Sequence, residues 1–139
     1  MSERGQVTEF SLPGGPESIG VARERARDFL LGADPTLSAA TVRDAVLAIS
    51  EMVTNAVRHA PGACTLAIGL DGQRIDIRVT DTSRTVPRLR TARFDGSGGF
   101  GLHMLEALAG AVETVLHAGG KTVSVCLDRA GRPSDRTSA

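Results

Sequence analysis

The sequence is poor in several residue types, and each scarcity excludes a class of protein. Its 139 residues contain no Trp, no Tyr and only 3% aromatic residues, which argues against a surface that stacks nucleic-acid bases. Two cysteines are too few for a disulfide framework or a four-cysteine zinc site. No apolar run approaches the roughly 18 residues that a membrane helix needs, and no apolar signal region opens the chain. We therefore expect a cytoplasmic protein without a membrane partner.

The charge and the length of the chain limit its possible partners and its number of domains. Sixteen basic and sixteen acidic residues give a formal net charge of +0, which argues against direct nucleic-acid binding through bulk charge. The length suits one domain with a core of its own. Residues 1–5 and 129–139 are polar and aperiodic, so we predict flexible tails on either side of a domain at 6–128.

Two amphipathic helices are predicted in the first half of the chain. Apolar residues at helical spacing predict a helix over about 17–31, with Gly32 as its stop signal. A second pattern of steps of three and four runs from Ser38 to Ala60, and Asp34 or Thr36 is expected to cap its approach. Pro61-Gly62 ends that helix.

Alternating apolar residues predict a sheet. The runs at 64–70 and 75–79 flank Asp71-Gly72 and read as a hairpin with one buried face. Three further segments complete the pattern: a short extended run before Pro13, and two closing strands at 112–117 and 121–127. A long loop at 82–98 precedes a third helix at about 99–108. The predicted fold is an α+β two-layer sandwich, with a mixed, mostly antiparallel sheet of about five strands and three helices on one face.

Three polar residues of the predicted elements could carry chemistry. Glu51 and Asn55 lie one helical turn apart, on the side opposite the apolar stripe. An amide oxygen is a hard ligand that suits Mg²⁺, and a neighbouring Glu can polarise a hydroxyl; a solvated polar face is the alternative. Asp81 ends a strand as a lone carboxylate, where it could accept a hydrogen bond from a ligand amine or open a turn.

Gly96 to Gly101 match the pattern G-x-G-x-x-G. The dinucleotide-binding fingerprint needs a strand directly before the glycines, and a loop is predicted there instead. A glycine-rich segment that opens a helix can still hold phosphate through free backbone N–H groups. A flexible hinge is the alternative.

Taken together and in this order, the motifs resemble the Bergerat-type ATPase family, which includes DNA gyrase, heat-shock chaperones, mismatch-repair ATPases and histidine kinases. The resemblance covers about residues 6–128 and rests on Glu51-x-x-x-Asn55-Ala56, Asp81 and Gly99-x-Gly101-Leu102. The stretches at 51–60 and 119–123 are similar to small stand-alone anti-sigma-factor serine kinases of actinobacteria.

The resemblance implies a role for each motif. Asn55 would bind Mg²⁺ between the phosphates of ATP, and Asp81 would recognise the adenine amine. Glu51, the catalytic residue, would act as general base or hold the attacking group. The backbone at Gly99, Gly101 and Leu102 would bind the nucleotide, with 82–98 as its lid. The family usually has Asp-x-Gly-x-Gly after the adenine strand, whereas this chain has Asp81-Thr82-Ser83-Arg84-Thr85.

The implied function is an ATP-dependent protein serine/threonine kinase. It would bind a sigma factor, phosphorylate an anti-anti-sigma antagonist in trans and so regulate transcription. The chain could also form a homodimer. The alternative is a non-catalytic ATP-binding regulatory module that sequesters a protein partner. Glu51 together with Asn55 favours the kinase, while the missing glycines after Asp81 favour the module.

Overall fold

The computed structural model describes residues 5–60, 62–83 and 112–129. Within these ranges, two helices precede most of the strands. The elements in chain order are β1 Gln6–Leu12, α1 Glu17–Ala33, α2 Ala39–His59, β2 Cys64–Leu70, β3 Arg74–Asp81, β4 Val112–His117 and β5 Gly120–Asp128.

The five strands form one sheet in the order β1-β2-β3-β5-β4. This confirms the predicted α+β fold and its strand number. The sheet is not mixed in the described ranges, because each of its four neighbouring pairs is antiparallel. Two of the three predicted helices are present, and the third, at about 99–108, lies outside the described residues.

One face of the sheet is buried beneath the two helices. In β3, Ile75, Ile77 and Val79 are buried while Arg74 and Arg78 are exposed, which is the alternation that the sequence predicts. Burying each large aliphatic side chain contributes about 1.5–3 kcal/mol. The shared core includes Ala22, Ala26, Leu30, Ala45, Ile49, Val53, Leu66, Ile68, Ile77 and Val125.

The capping residue of α2 and the last residue of α1 differ from the prediction. Ser38 is the N-cap of α2, and its hydroxyl accepts a hydrogen bond from the N–H of Thr41 at 3.0 Å. The expectation that Asp34 or Thr36 caps this helix is therefore wrong: Asp34 accepts from the N–H and the hydroxyl of Thr36 and follows the end of α1. Helix α1 also continues through Gly32 to Ala33.

Arg129 connects one end of the sheet to the end of α1 and the start of α2. Its N–H donates to the carbonyl of Gln73 at 2.9 Å, and its guanidinium donates to the carbonyl of Asp71 at 2.8 Å and pairs with Asp34. The hydroxyl of Thr41 donates to the carbonyl of Arg129 at 3.2 Å. The start of α2 therefore lies at the end of the sheet where β5 finishes.

At the opposite end, Gly120 allows β5 to approach β3 closely. Gly120 has a φ of 153°, and a Cβ atom there would lie 1.9 Å from the carbonyl oxygen of Asp81. Any side chain would therefore force the backbones of the two strands apart.

We predict that Gly120→Ala lowers the free energy of unfolding by more than about 2 kcal/mol, because the new methyl group meets backbone that cannot yield without loss of strand pairing. Urea unfolding followed by circular dichroism measures the change. Gly119→Ala is the matched control, since nothing lies within 4 Å of a Cβ at that position. Equal stability of the two variants would contradict the assigned role of Gly120.

Candidate functional site

Helix α2 carries Glu51 and Asn55 one turn apart, and both side chains are half-buried. The prediction that the pair lies opposite the core is wrong for Asn55. It follows the buried Ala48 by seven residues, or about two turns, and so borders the buried stripe. Within the described ranges, neither Glu51 nor Asn55 forms a side-chain hydrogen bond or ion pair. With respect to the described residues, both therefore have polar groups available for a ligand.

The direction of α2 brings Asn55 to the Asp81 end of the sheet. Thr41, near the start of the helix, is hydrogen-bonded to Arg129, which pairs with Gln73 just before β3. From Thr41 to Asn55 the helix rises by about 21 Å. From Gln73 to Asp81 the strand advances by about 27 Å.

The connection from α2 to β2 supports the same placement. A Cβ atom on Gly62 would lie 4.0 Å from the hydroxyl oxygen of Thr82, directly after Asp81. Since only a few residues separate Gly62 from the last turn of α2, that turn must lie near the end of β3.

Asp81 is buried and ion-paired. Its residue surface is 3% exposed, and the Nζ of Lys121 donates to Oδ1 at 3.0 Å and to Oδ2 at 2.9 Å. The N–H of Ser83 donates to Oδ1 at 2.8 Å. The sequence-based description of Asp81 as a lone carboxylate is therefore wrong, because the neighbouring strand supplies a cation.

Lys121 is a candidate site residue that the sequence analysis missed. It pairs with Asp81 across β3 and β5, and its side chain is 1% exposed. The sequence does contain a signal for it. Lys121 is the only lysine among sixteen basic residues, and it is the second residue of a strand in which apolar residues alternate. A lone basic residue at such a position indicates a buried partner of opposite charge.

Cys64 lies beside the Asp81–Lys121 pair. The register that joins Thr65 to Thr80 brings Cys64 next to Asp81 across β2 and β3. Burial raises the pKa of the Cys64 thiol, and the negative charge of Asp81 raises it further. The thiol therefore stays protonated at neutral pH, and an uncharged side chain lies next to the charged pair.

The remaining predicted site residues, Gly99, Gly101 and Leu102, lie outside the described residues. The same holds for most of the predicted lid at 82–98, of which only Thr82 and Ser83 are described.

Residues 5–60, 62–83 and 112–129 contain no group of three or more His, Cys, Asp or Glu side chains that could hold a metal ion. None of the described helices is long and apolar enough to cross a membrane.

Comparison with known proteins gives consistent matches. Residues 12–127 match the histidine kinase-like ATPase domain family. Serine-protein kinase RsbW of Oceanobacillus iheyensis is 29% identical over 119 residues, which cover 72% of this chain and 73% of that protein.

A solved structure, that of the RsbU and RsbW domains of Rv1364c from Mycobacterium tuberculosis, has the same fold with a TM-score of 0.68 and 23% sequence identity. The alignment covers 94% of this chain and only 35% of that longer one. These matches confirm the resemblance drawn from the sequence motifs.

We predict strong energetic coupling between Asp81 and Lys121. Asp81→Asn or Lys121→Met alone should each cost about 3–5 kcal/mol of unfolding free energy, because each leaves a buried charge unpaired. The double variant should lose much less than the sum of the two. Chemical denaturation of all four proteins gives the coupling energy.

Asp44→Asn is the control for this cycle. It changes a carboxylate to an amide in a loose pair with Arg43, whose side chain is 74% exposed, and should cost less than about 1 kcal/mol. Additive losses for the Asp81 and Lys121 variants would show that the buried pair contributes nothing specific.

Proposed function

This chain belongs to the histidine kinase-like ATPase domain family, and from that premise we propose that it is an ATP-dependent protein serine/threonine kinase. In this proposal it binds a sigma factor and phosphorylates an antagonist protein in trans. The similarity to serine-protein kinase RsbW supports the kinase class. The observation that carries the proposal is the presence of Glu51 and Asn55, without described partners, on the half of α2 that reaches the Asp81 end of the sheet.

Asn55 suits the role of a magnesium ligand. Mg²⁺ commonly takes one or two protein oxygens and completes its shell with phosphate oxygens and water, so a site built from a single amide is chemically adequate. When bound, Mg²⁺ neutralises charge on the phosphates. Asn55 would direct its amide oxygen to the cation and would thereby fix where the phosphates lie relative to α2.

Asp81 suits the recognition of an exocyclic amine. A carboxylate has about four lone-pair sites, and the described donors to Asp81 are Lys121, on both oxygens, and Ser83 on Oδ1. One acceptor position remains on Oδ2. Asp81 therefore holds the adenine amine with that oxygen, while its other contacts keep the carboxylate in a fixed orientation.

Glu51 acts on the acceptor protein in this proposal. As the serine or threonine oxygen of the antagonist attacks the γ-phosphorus, Glu51 accepts the hydroxyl proton. The bond between the γ-phosphorus and the bridging oxygen breaks, and that oxygen leaves with ADP. Glu51 has no described ion-pair partner, so its carboxylate is available to receive the proton.

The alternative function, a non-catalytic ATP-binding module that sequesters its partner, is favoured by one observation. Ser83 stands where the family usually has a glycine near the nucleotide, and its N–H donates to Asp81. A fixed backbone there limits close approach of the phosphates. Phosphate transfer to a bound partner distinguishes the two functions.

We predict that Asn55→Ala weakens the Mg²⁺-dependent part of ATP binding by about tenfold or more, as expected when a metal ligand is lost. Calorimetric titration with a non-hydrolysable ATP analogue, with and without Mg²⁺, measures this effect. Unfolding free energy should change by less than about 1 kcal/mol, since Asn55 is half-buried. Full magnesium dependence combined with a large loss of stability would identify Asn55 as structural.

We predict that Glu51→Gln keeps ATP and partner binding but lowers phosphate transfer by about 10²–10⁴-fold, the usual contribution of general-base assistance. Labelled ATP and an antagonist protein recovered with the chain provide the assay. Asp44→Asn is the matched control, because it makes the same chemical change seven residues earlier on the same side of α2. If the wild-type chain transfers no label to any partner that it binds with ATP, the kinase proposal fails and the binding module stands.

A further inference from the structure

Among the described residues, the ammonium group of Lys121 finds acceptors for at most two of its three N–H donors. The residue is 0% exposed, and its Nζ contacts the two oxygens of Asp81. An ammonium has three N–H donors, and these two contacts use at most two of them. No other described residue accepts from it. Because buried donors are nearly always satisfied, an acceptor from outside the described residues is expected here.

With respect to the part of the chain that the structure describes, the pair leaves one acceptor and one donor side by side, and both are available to a ligand. On Asp81, Oδ1 already receives Lys121 and the N–H of Ser83, so the open acceptor position is on Oδ2. The open donor is on Nζ of Lys121, only 2.9 Å from that oxygen. A ligand that matches both must carry a donor and an acceptor on adjacent atoms.

We propose that Lys121 is a second base-reading residue, whose free N–H donates to ring nitrogen N1 of adenine while Asp81 accepts from the neighbouring exocyclic amine. The inference rests on the proposed function, in which ATP is the ligand. It assigns to Lys121 a direct role in nucleotide specificity, in addition to its pairing with Asp81.

The same accounting favours adenine over guanine. Guanine can offer O6 to Lys121 and N1–H to Asp81, but its adjacent amine then needs a further acceptor. Oδ1 is already saturated, so that amine would be left without a partner on this carboxylate. Cys64, on the other side of Asp81, is buried and its thiol is neutral, so it provides no charged partner for that amine. An unmatched polar group in a buried place is costly.

The first test leaves the protein unchanged and alters the ligand. Titration of the wild-type chain compares ATP with 1-deaza-ATP, in which N1 is replaced by C–H, and with GTP. We expect 1-deaza-ATP to bind about ten- to a hundredfold more weakly than ATP, the range for a hydrogen bond to a charged donor. A ratio near one, or GTP as tight as ATP, overturns the inference while ATP binding still stands. If ATP itself does not bind, the proposed function and the inference both fall.

The second test removes the donor. In Lys121→Met the ratio of the 1-deaza-ATP and ATP dissociation constants should fall to near one, even though both ligands bind more weakly. A purely structural role for Lys121 would leave the ratio unchanged. Thr122→Val is the matched control: it removes a hydroxyl that bonds Thr80 next along β5 and should preserve the wild-type ratio.

Should Lys121→Met fail to fold because Asp81 is left unpaired, the double variant Asp81→Asn/Lys121→Met provides the same measurement without a buried charge. A ratio near one in the double variant supports the inference. A ratio that stays at tenfold or more shows that another group contacts N1, which overturns it.

Discussion

Lys121 and Asp81 hold two opposite charges away from water between β3 and β5, with side chains no more than 2% exposed. Removing such ions from water costs several kcal/mol each, and their attraction offsets the cost only when the geometry is good. Here the ammonium lies 3.0 and 2.9 Å from the two carboxylate oxygens, and Ser83 adds a backbone donor. The register of β3 and β5 at this end therefore has to be kept, and Gly120 makes it possible because a side chain there would strike the backbone of Asp81.

The sheet and the two described helices follow from apolar spacing, which the sequence displays directly. In β2 every second residue from Cys64 to Leu70 is buried, as the alternation predicts. The capping residue of α2 is harder to predict from the sequence, because one short segment contains three good capping residues, Asp34, Thr36 and Ser38. Their hydrogen bonds select Ser38, since it directly precedes the first turn of α2. Nothing in the spacing alone identifies that choice.

The candidate site also has one part that residue spacing predicts and one part that it does not. Glu51 and Asn55 are four residues apart, so helical geometry alone brings them to one side of α2. Asp81 and Lys121 are forty residues apart, and their contact depends on which strands are neighbours. The chain order would allow β5 to lie elsewhere in the sheet. In the observed order β1-β2-β3-β5-β4 the strands β3 and β5 are neighbours, and their pairing brings the single lysine opposite the aspartate.

The segment after Asp81 links this pairing to ligand recognition. In the usual pattern of the family, glycines there let the backbone come close to the nucleotide. In this chain Ser83 turns its N–H back to Oδ1 of Asp81, so the backbone orients the carboxylate instead. A carboxylate held by Lys121 and Ser83 loses little conformational freedom when a ligand binds. In the proposed function, preorganised side chains thereby replace backbone flexibility as the source of base recognition, so the lysine and the missing glycines would be two parts of one arrangement.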